Sequence, residues 1–479
     1  MAESTLSTWV ERGRGKAEGL YSEVYRLSAV NSTPVIAGGP DGNTVHRIGG
    51  QLEWWGIRPT AVRGVWRWWI RALLAGLLWE EGYTCDYERL VRLEEKLGLG
   101  STAEASKVFL RVKSKINGRP STNTNSGIIS KLRYIPRYKL LTIGSRNYSQ
   151  ILLNKQPIPP GHVSLDITLY SRDRVFTKPY EDLYKYALWL ALALSGIGQM
   201  TSRGFGKFSL KGPWDEEISQ IKITQILNNI RDTIERININ IEEIRGCQKI
   251  SRDTDLPLTP TFHEKTLRIV LLSDVKNIRV EGCIECRGTC HNIWQVLQSI
   301  GYATMKNAWK ACEKGKLKIE GGKYHTWPLG LPRKGERRDW NTKKIDIYVN
   351  NKKVNSVNYN PRIKIPTGYL FEAIEKIEKN KEYKIGRLQS LIRFTPIVKD
   401  NGGFDVLIYG FLTSDLEFLL KNLYHYGYHE ARTRRENGLL EIKSVTKYAS
   451  GRSAKDLFDE ALDYIEKLLE CSNNCVTCR

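Results

Sequence analysis

The chain has 479 residues, room for two or three domains, and carries 74 Lys plus Arg against 52 Asp plus Glu, a formal charge of +22. That surplus asks for an anionic partner. No apolar run reaches transmembrane length and the polar start MAESTLSTWVERGRGK is no signal peptide, so nucleic acid leads over membrane and the expected compartment is the cytoplasm.

In chain order, residues 20–37 alternate as a strand, and a Gly-rich loop follows over 38–51. Ile57 to Gly82 reads as one helix. Pro59 and Thr60 are start signals and Gly82 is a stop signal. Val62, Val65, Trp69, Leu73 and Leu77 recur at helical spacing and should face a core. Arg63, Arg67 and Arg71 recur every fourth residue, which lines them up as a stripe roughly 12 Å long. No acid precedes Glu80 on this helix, so the guanidiniums are candidates for bidentate phosphate contacts. Trp66 and Trp68 lie between them, and one should leave the core face, where a base can stack. Gly64, beside the stripe, costs about 1 kcal/mol against alanine and so implies a packing or approach reason. The plainer reading is an amphipathic core helix with a solvated charged face.

Residues 93–112 then suggest a short helix, a Gly-Ser turn and a strand, and 113–130 a polar loop. Val163 to Tyr170 alternates as a strand, and Asp182 to Leu194 is a buried helix. It runs into SGIGQMTSRGFGKFSL, residues 195–210. There Gly196, Gly198, Gly204 and Gly206 would let backbone approach a ligand, with Arg203 and Lys207 supplying charge. The segment lacks the ending of a P-loop and lies on the wrong side of a helix for a dinucleotide fingerprint. Isoleucines spaced by threes and fours from 223 to 244 imply a long amphipathic linker helix.

The second half repeats this order. Leu267–Leu272 is a strand, Asn292–Cys312 a helix with a break near Gly301, and 387–396 with 404–411 a strand pair about KDNGG. Asp415–Tyr426 reads as helical and leads into GYHEARTRRENGLLEI, where Arg432, Arg434 and Arg435 take the place of Arg203. Ser453 and Asp456 form a capping box for a helix over 454–470.

Six of the nine cysteines form two triplets, Cys283, Cys286, Cys290 and Cys471, Cys475, Cys478, while Cys85, Cys247 and Cys312 stand alone. Cys283, Cys286 and Cys290 have zinc-type spacing with His291 as a fourth ligand. A site or bridge shared with the second triplet, disulfides and free thiols are the alternatives. Of seven histidines, His46 is the best candidate for acid–base work, with His425 and His429 one turn apart if helical. No catalytic constellation emerges.

The stretches TPVIAGG (33–39), RPTAVRGVWRWWIRAL (58–73), LGLGSTAEASKVFLRV (97–112) and GIGQMTSRGFGKF (196–208) resemble the RAMP superfamily. The helix most resembles the first subunit of the type III-B CRISPR effector, the Cmr complex. WPLGLPR (327–333) and ARTRRENG (431–438) fit a second RAMP domain more loosely. The cysteine triplets are no part of the family pattern, and Glu436–Asn437 depart from it. The resemblance implies an α+β chain of two tandem ferredoxin-like (RRM-like) domains, 1–215 and 261–450, joined by a helical linker, 216–260, with a helix and Cys-rich tail over 451–479. It implies a non-catalytic subunit contacting the 3′ region of guide RNA and helping capture target RNA beside other Cmr subunits. It carries RNA contact onto Arg58, Arg63, Arg67, Trp68, Arg71, Gly196, Gly198, Arg203, Gly204 and Lys207. No cofactor is required; a structural zinc is the candidate addition. The rival readings are a RAMP endoribonuclease that processes repeat RNA and an RNA-binding protein outside CRISPR.

Overall fold

A computed structural model describes residues 21–101, 105–122, 127–132, 134–139, 152–172, 180–211, 228, 247–251, 256–280, 284–305, 308, 327–329, 390–414, 416–417 and 453–471, with the backbone of strand segments between 333 and 447. The long helix anticipated over 223–244 lies outside these residues apart from Asn228, as do Arg432, Arg434 and Arg435.

In the first half, β1 (Ser22–Asn31) is followed by a hairpin, β2 (Val45–Ile48) and β3 (Gln51–Trp54), whose first strand and turn lie in the stretch read from sequence as loop. Then come α1 (Pro59–Glu80), α2 (Tyr87–Glu94), β4 (Val108–Ile116), β5 (Val163–Ser171), α3 (Glu181–Trp189) and β6 (Phe208–Lys211). The sheet is antiparallel, ordered β4-β5-β1-β6. Without the hairpin and α2, this is a β-α-β-β-α-β split arrangement. Strand alternation sends Leu27, Ala29, Leu165, Ile167 and Leu169 inward, into one core with α1 and α3.

Helix α1 starts at Pro59, with Arg58 in the cap position and no side-chain cap, so Thr60 is not the start signal it seemed. Gly82, at φ +83°, does end the helix, its N–H donating to Trp79 O at 3.1 Å. Of the anticipated core face, Val62, Trp69, Leu73 and Leu77 are buried and Val65 is half-buried.

In the second half, β7 (Leu267–Leu272), the hairpin β8 (Lys276–Val280) and β9 (Ile284–Thr289), α4 (Ile293–Ala303), β10 (Ile392–Val398), β11 (Phe404–Phe411) and α5 (Ala454–Leu469) share a second core. Its sheet is ordered β10-β11-β7, which repeats the β4-β5-β1 portion of the first. The Ser453–Asp456 capping box is present. Helix α4 ends at Ala303, two residues after Gly301 and close to the break read there, and the glycine itself lets Pro136 approach, since a Cβ would meet it at 2.9 Å. Leu423–Gly427 is a strand rather than part of a helix, which removes the helical pairing of His425 with His429. The halves meet across Trp69, whose ring packs on Phe262, Tyr409 and Phe411.

Candidate nucleic-acid interface

The arginine stripe is present on α1, but its two inner members meet a carboxylate that the helix itself does not contain. Glu94, at the end of α2, is wholly buried and bonds both Arg67 Nε and Arg71 Nη1, the latter at 2.6 Å. The wide turn Glu95–Leu99 then presents carbonyls to the same helix. Arg67 donates to Gly100 O at 3.2 Å and Arg63 to Leu99 O at 3.3 Å. Arg71 also lies 4.7 Å from the Tyr87 ring centroid. A buried carboxylate is costly unless paired and hydrogen-bonded, so Arg67 and Arg71 hold α2 on α1. The side chains of Arg67 and Arg71 are 22% and 11% exposed. Arg58 stands exposed before the helix, and Gly64 faces solvent with nothing within 4 Å of where a Cβ would stand.

The tryptophans divide. Trp66 is buried and donates to Tyr184 O at 3.1 Å; Trp69 is buried and donates to Ser195 Oγ at 2.8 Å. Trp68 is the half-buried one, edge-on to Trp69 and Phe411. Over its ring, at 5.2 Å, lies the guanidinium of Arg393 from β10. Arg393 is half-buried and is bonded by no carboxylate among the described residues; its Nη1 reaches Ser195 Oγ at 3.5 Å. Nothing in the spacing of the second half marks Arg393, because its relation to Trp68 exists only once the halves are docked.

The Gly-rich turn closes on the protein itself. Gly196 (φ +74°) comes so near its returning strand that a Cβ would meet Gly206 O at 2.6 Å, and Ile197 N donates to that carbonyl at 2.8 Å. A Cβ on Gly198 would strike Ile36 O, and one on Gly204 would press Pro396 of β10 and Leu297 of α4. The glycines read from sequence as room for a ligand are room for neighbouring backbone and the second half. Arg203 and Lys207, expected to present charge to RNA, are 7% and 1% exposed. Arg203 donates to Leu329 O at 2.6 Å, Ser390 Oγ at 2.9 Å and Ile392 O at 3.3 Å, stitching the turn to the second half. Lys207 Nζ is held by Leu194 O and by Ser195 O at 2.9 Å. Burial, reinforced by the nearby Arg393 charge, holds its ammonium well below the usual lysine range.

Among the described residues the cysteines are engaged in other ways. Cys286 is bonded to Cys471, a bridge between the two triplets, and Cys85 to Cys247, two residues that seemed solitary. The thiol of Cys290 is buried against Ser299 Oγ at 3.9 Å and pushed up to about 11 by burial. Cys283 lies outside the described residues; His291 is exposed. Among the described residues no three metal-binding side chains converge.

Residues 33–209, which include α1 and the Gly-rich turn, match the RAMP superfamily. The chain is 26% identical over 298 residues to the CRISPR system Cmr subunit Cmr1-1 of Pyrococcus furiosus, covering 59% of this chain and 72% of that protein. Identity to Cmr1-2 of the same organism is 26% over 204 residues, 40% of this chain and 96% of that one. Among solved structures it aligns with the apo crystal structure of Pyrococcus furiosus Cmr1 at 16% identity and a TM-score of 0.37, covering 91% and 95% of the two chains. It also aligns with a chain of the Type III-B Cmr-beta cryo-EM structure bound to cognate target RNA, at 16% identity and a TM-score of 0.45, covering 94% and 98%.

Proposed function

We propose that this chain is an RNA-binding subunit of a type III-B CRISPR (Cmr) effector complex, which meets the 3′ region of guide RNA and helps capture target RNA in antiviral defence. Its relatives are named Cmr1 subunits, and its RAMP match spans the helix on which the reading rests. Its partners are then guide RNA, target RNA and the other Cmr subunits. The repeated sheet order supports two tandem ferredoxin-like domains.

The observation that carries the RNA reading is Trp68 beneath Arg393, on the helix that also exposes Arg58 and Gly64. A guanidinium lying on an indole is a platform for a phosphate and a stacked base. Arg393 supplies charge at Trp68, and Arg58 and Arg63 supply it elsewhere along α1, while Arg67 and Arg71 hold the helix against α2 through Glu94. Arg203 and Gly204 fix the docking of the second half that brings Arg393 to Trp68, while Lys207 and the other glycines hold the turn itself closed. The role is binding rather than cleavage. His46, the best acid–base candidate, lies with its ring 4.1 Å from that of Trp55, and its buried Nδ1 has no hydrogen-bond partner among the described residues.

Reconstitution with partner subunits and guide RNA tests this. The Arg58→Ala/Arg393→Ala variant should bind RNA more weakly irrespective of sequence, with the salt slope lowered by about 0.7 per lost single-strand contact. Unchanged affinity and slope in the folded variant would refute the surface. Cleavage of labelled repeat RNA by the purified chain, lost in His46→Ala, would favour the nuclease reading.

A further inference from the structure

The first sheet has a second face, away from α1 and α3 and from the Trp68–Arg393 pair. We propose that this outer face is a separate single-stranded RNA surface; the class of ligand rests on the RNA reading of the chain, the location does not rest on α1. In β4 the residues pointing outward are Phe109, Arg111, Lys113 and Lys115, set opposite Tyr170, Thr168, Asp166 and Ser164 of β5. Phe109 and Tyr170 stack at 5.0 Å between centroids with 12° between planes, and Tyr21 meets Phe109 edge-on at 4.8 Å. All three rings are half-buried, an aromatic patch on a face that packs no described element.

Charge sets the occupant. Arg111, Lys113 and Lys115 are exposed and make no ion pair among the described residues. Of the two acids of the face, Glu23 pairs with Arg26 at 2.8 Å and Asp166 accepts from Ser28 Oγ at 2.9 Å, so one uncompensated carboxylate stands against the three cations. A sheet face that joins stacked aromatics to a row of free cations has what unpaired bases and their phosphates need. The plainer account is that lysines guard β4, the edge strand, against pairing with another chain. That account explains Lys113 and Lys115 but leaves the solvent-facing ring stack without a reason.

The test uses the full chain and an oligouridine. Acetylation of Lys113 and Lys115 should be suppressed by the RNA, and 4-thiouridine should crosslink at Tyr170 or Phe109. The variant Arg111→Ala/Lys113→Ala/Lys115→Ala, whose residues are exposed and whose fold a melting curve verifies, should lower the salt slope by about 2. Tyr170→Ala should weaken binding about tenfold with little change in slope. Persistence of the Lys113 protection in the Arg58→Ala/Arg393→Ala variant would establish the sheet face as separate from the helix surface. Loss of that protection, or lysines that remain reactive under saturating RNA, overturns the proposal. So does a triple variant that self-associates with unchanged RNA affinity, which would assign the lysines to edge protection.

Discussion

The Arg71 guanidinium closes on the buried carboxylate of Glu94 at 2.6 Å, and this contact changes what the arginine stripe of α1 is for. Two cations and one anion share a site that water does not reach on the carboxylate side. Glu94→Gln keeps the shape, removes the charge, and leaves Arg67 and Arg71 facing a neutral amide. Breaking a buried pair from one side costs about 3–5 kcal/mol, and the partly exposed arginines put this site toward the lower end. Urea unfolding of wild type and variant measures it. A loss within experimental error would return both arginines to the pool available for phosphate.

Gly64 separates a structural from a ligand-binding reason for a glycine within a helix. A Cβ there meets nothing within 4 Å, so Gly64→Ala should stabilise the unbound chain by up to about 1 kcal/mol. If an RNA backbone passes over this point, the same change weakens binding. A melting temperature that rises while affinity falls is the expected pair of results.

Lys207 gives a pH signature. Its ammonium is held well below the usual lysine range, so between its folded and unfolded pKa values the unfolded chain binds more protons. The sign follows: this group makes stability rise with pH through that window, and its desolvation weighs fully against folding at lower pH. Lys207→Met removes the titration but frees the Ser195 carbonyl from its bond. The stability difference, wild type minus variant, should therefore increase as pH is raised toward the ordinary lysine range. A difference flat in pH would place the ammonium in water.

The pairing of the cysteines is directly measurable. Peptide mapping under non-reducing conditions should recover Cys85 joined to Cys247 and Cys286 joined to Cys471. Reduction should lower unfolding stability by about 2–4 kcal/mol per bridge. Zinc retained at one equivalent through desalting, with all thiols reactive after denaturation, would contradict both bonds.

Periodicity made the elements legible and left their partners hidden. The run Val62, Trp69, Leu73, Leu77 identified α1, and Ser453 with Asp456 identified the start of α5, because a helix face and a capping box are local. Gly82 and the turn after α3 were legible for the same reason. Arg63, Arg67 and Arg71 were placed correctly on one stripe, yet the acid that pairs with two of them lies 27 and 23 residues on, in another helix. Arg203 binds groups 126 to 189 residues away, and no local pattern distinguishes such a buried cation from an exposed one. The glycines of 196–206 correctly signalled close approach, but spacing does not tell whether the approaching group is a ligand or the chain itself.

The Cys85–Cys247 bond spans 162 positions of sequence and so makes a covalent ring from α2 through β4, β5, α3 and β6. A protease that cuts once anywhere inside that ring does not release a fragment. The nicked chain keeps its full mass on a non-reducing gel and separates into pieces only when thiol is added. Three of the four strands of the first sheet lie within the ring, with β1 paired to them from outside. A cut in the connections between them therefore leaves each strand tethered beside its neighbours, able to re-form the sheet without a bimolecular encounter.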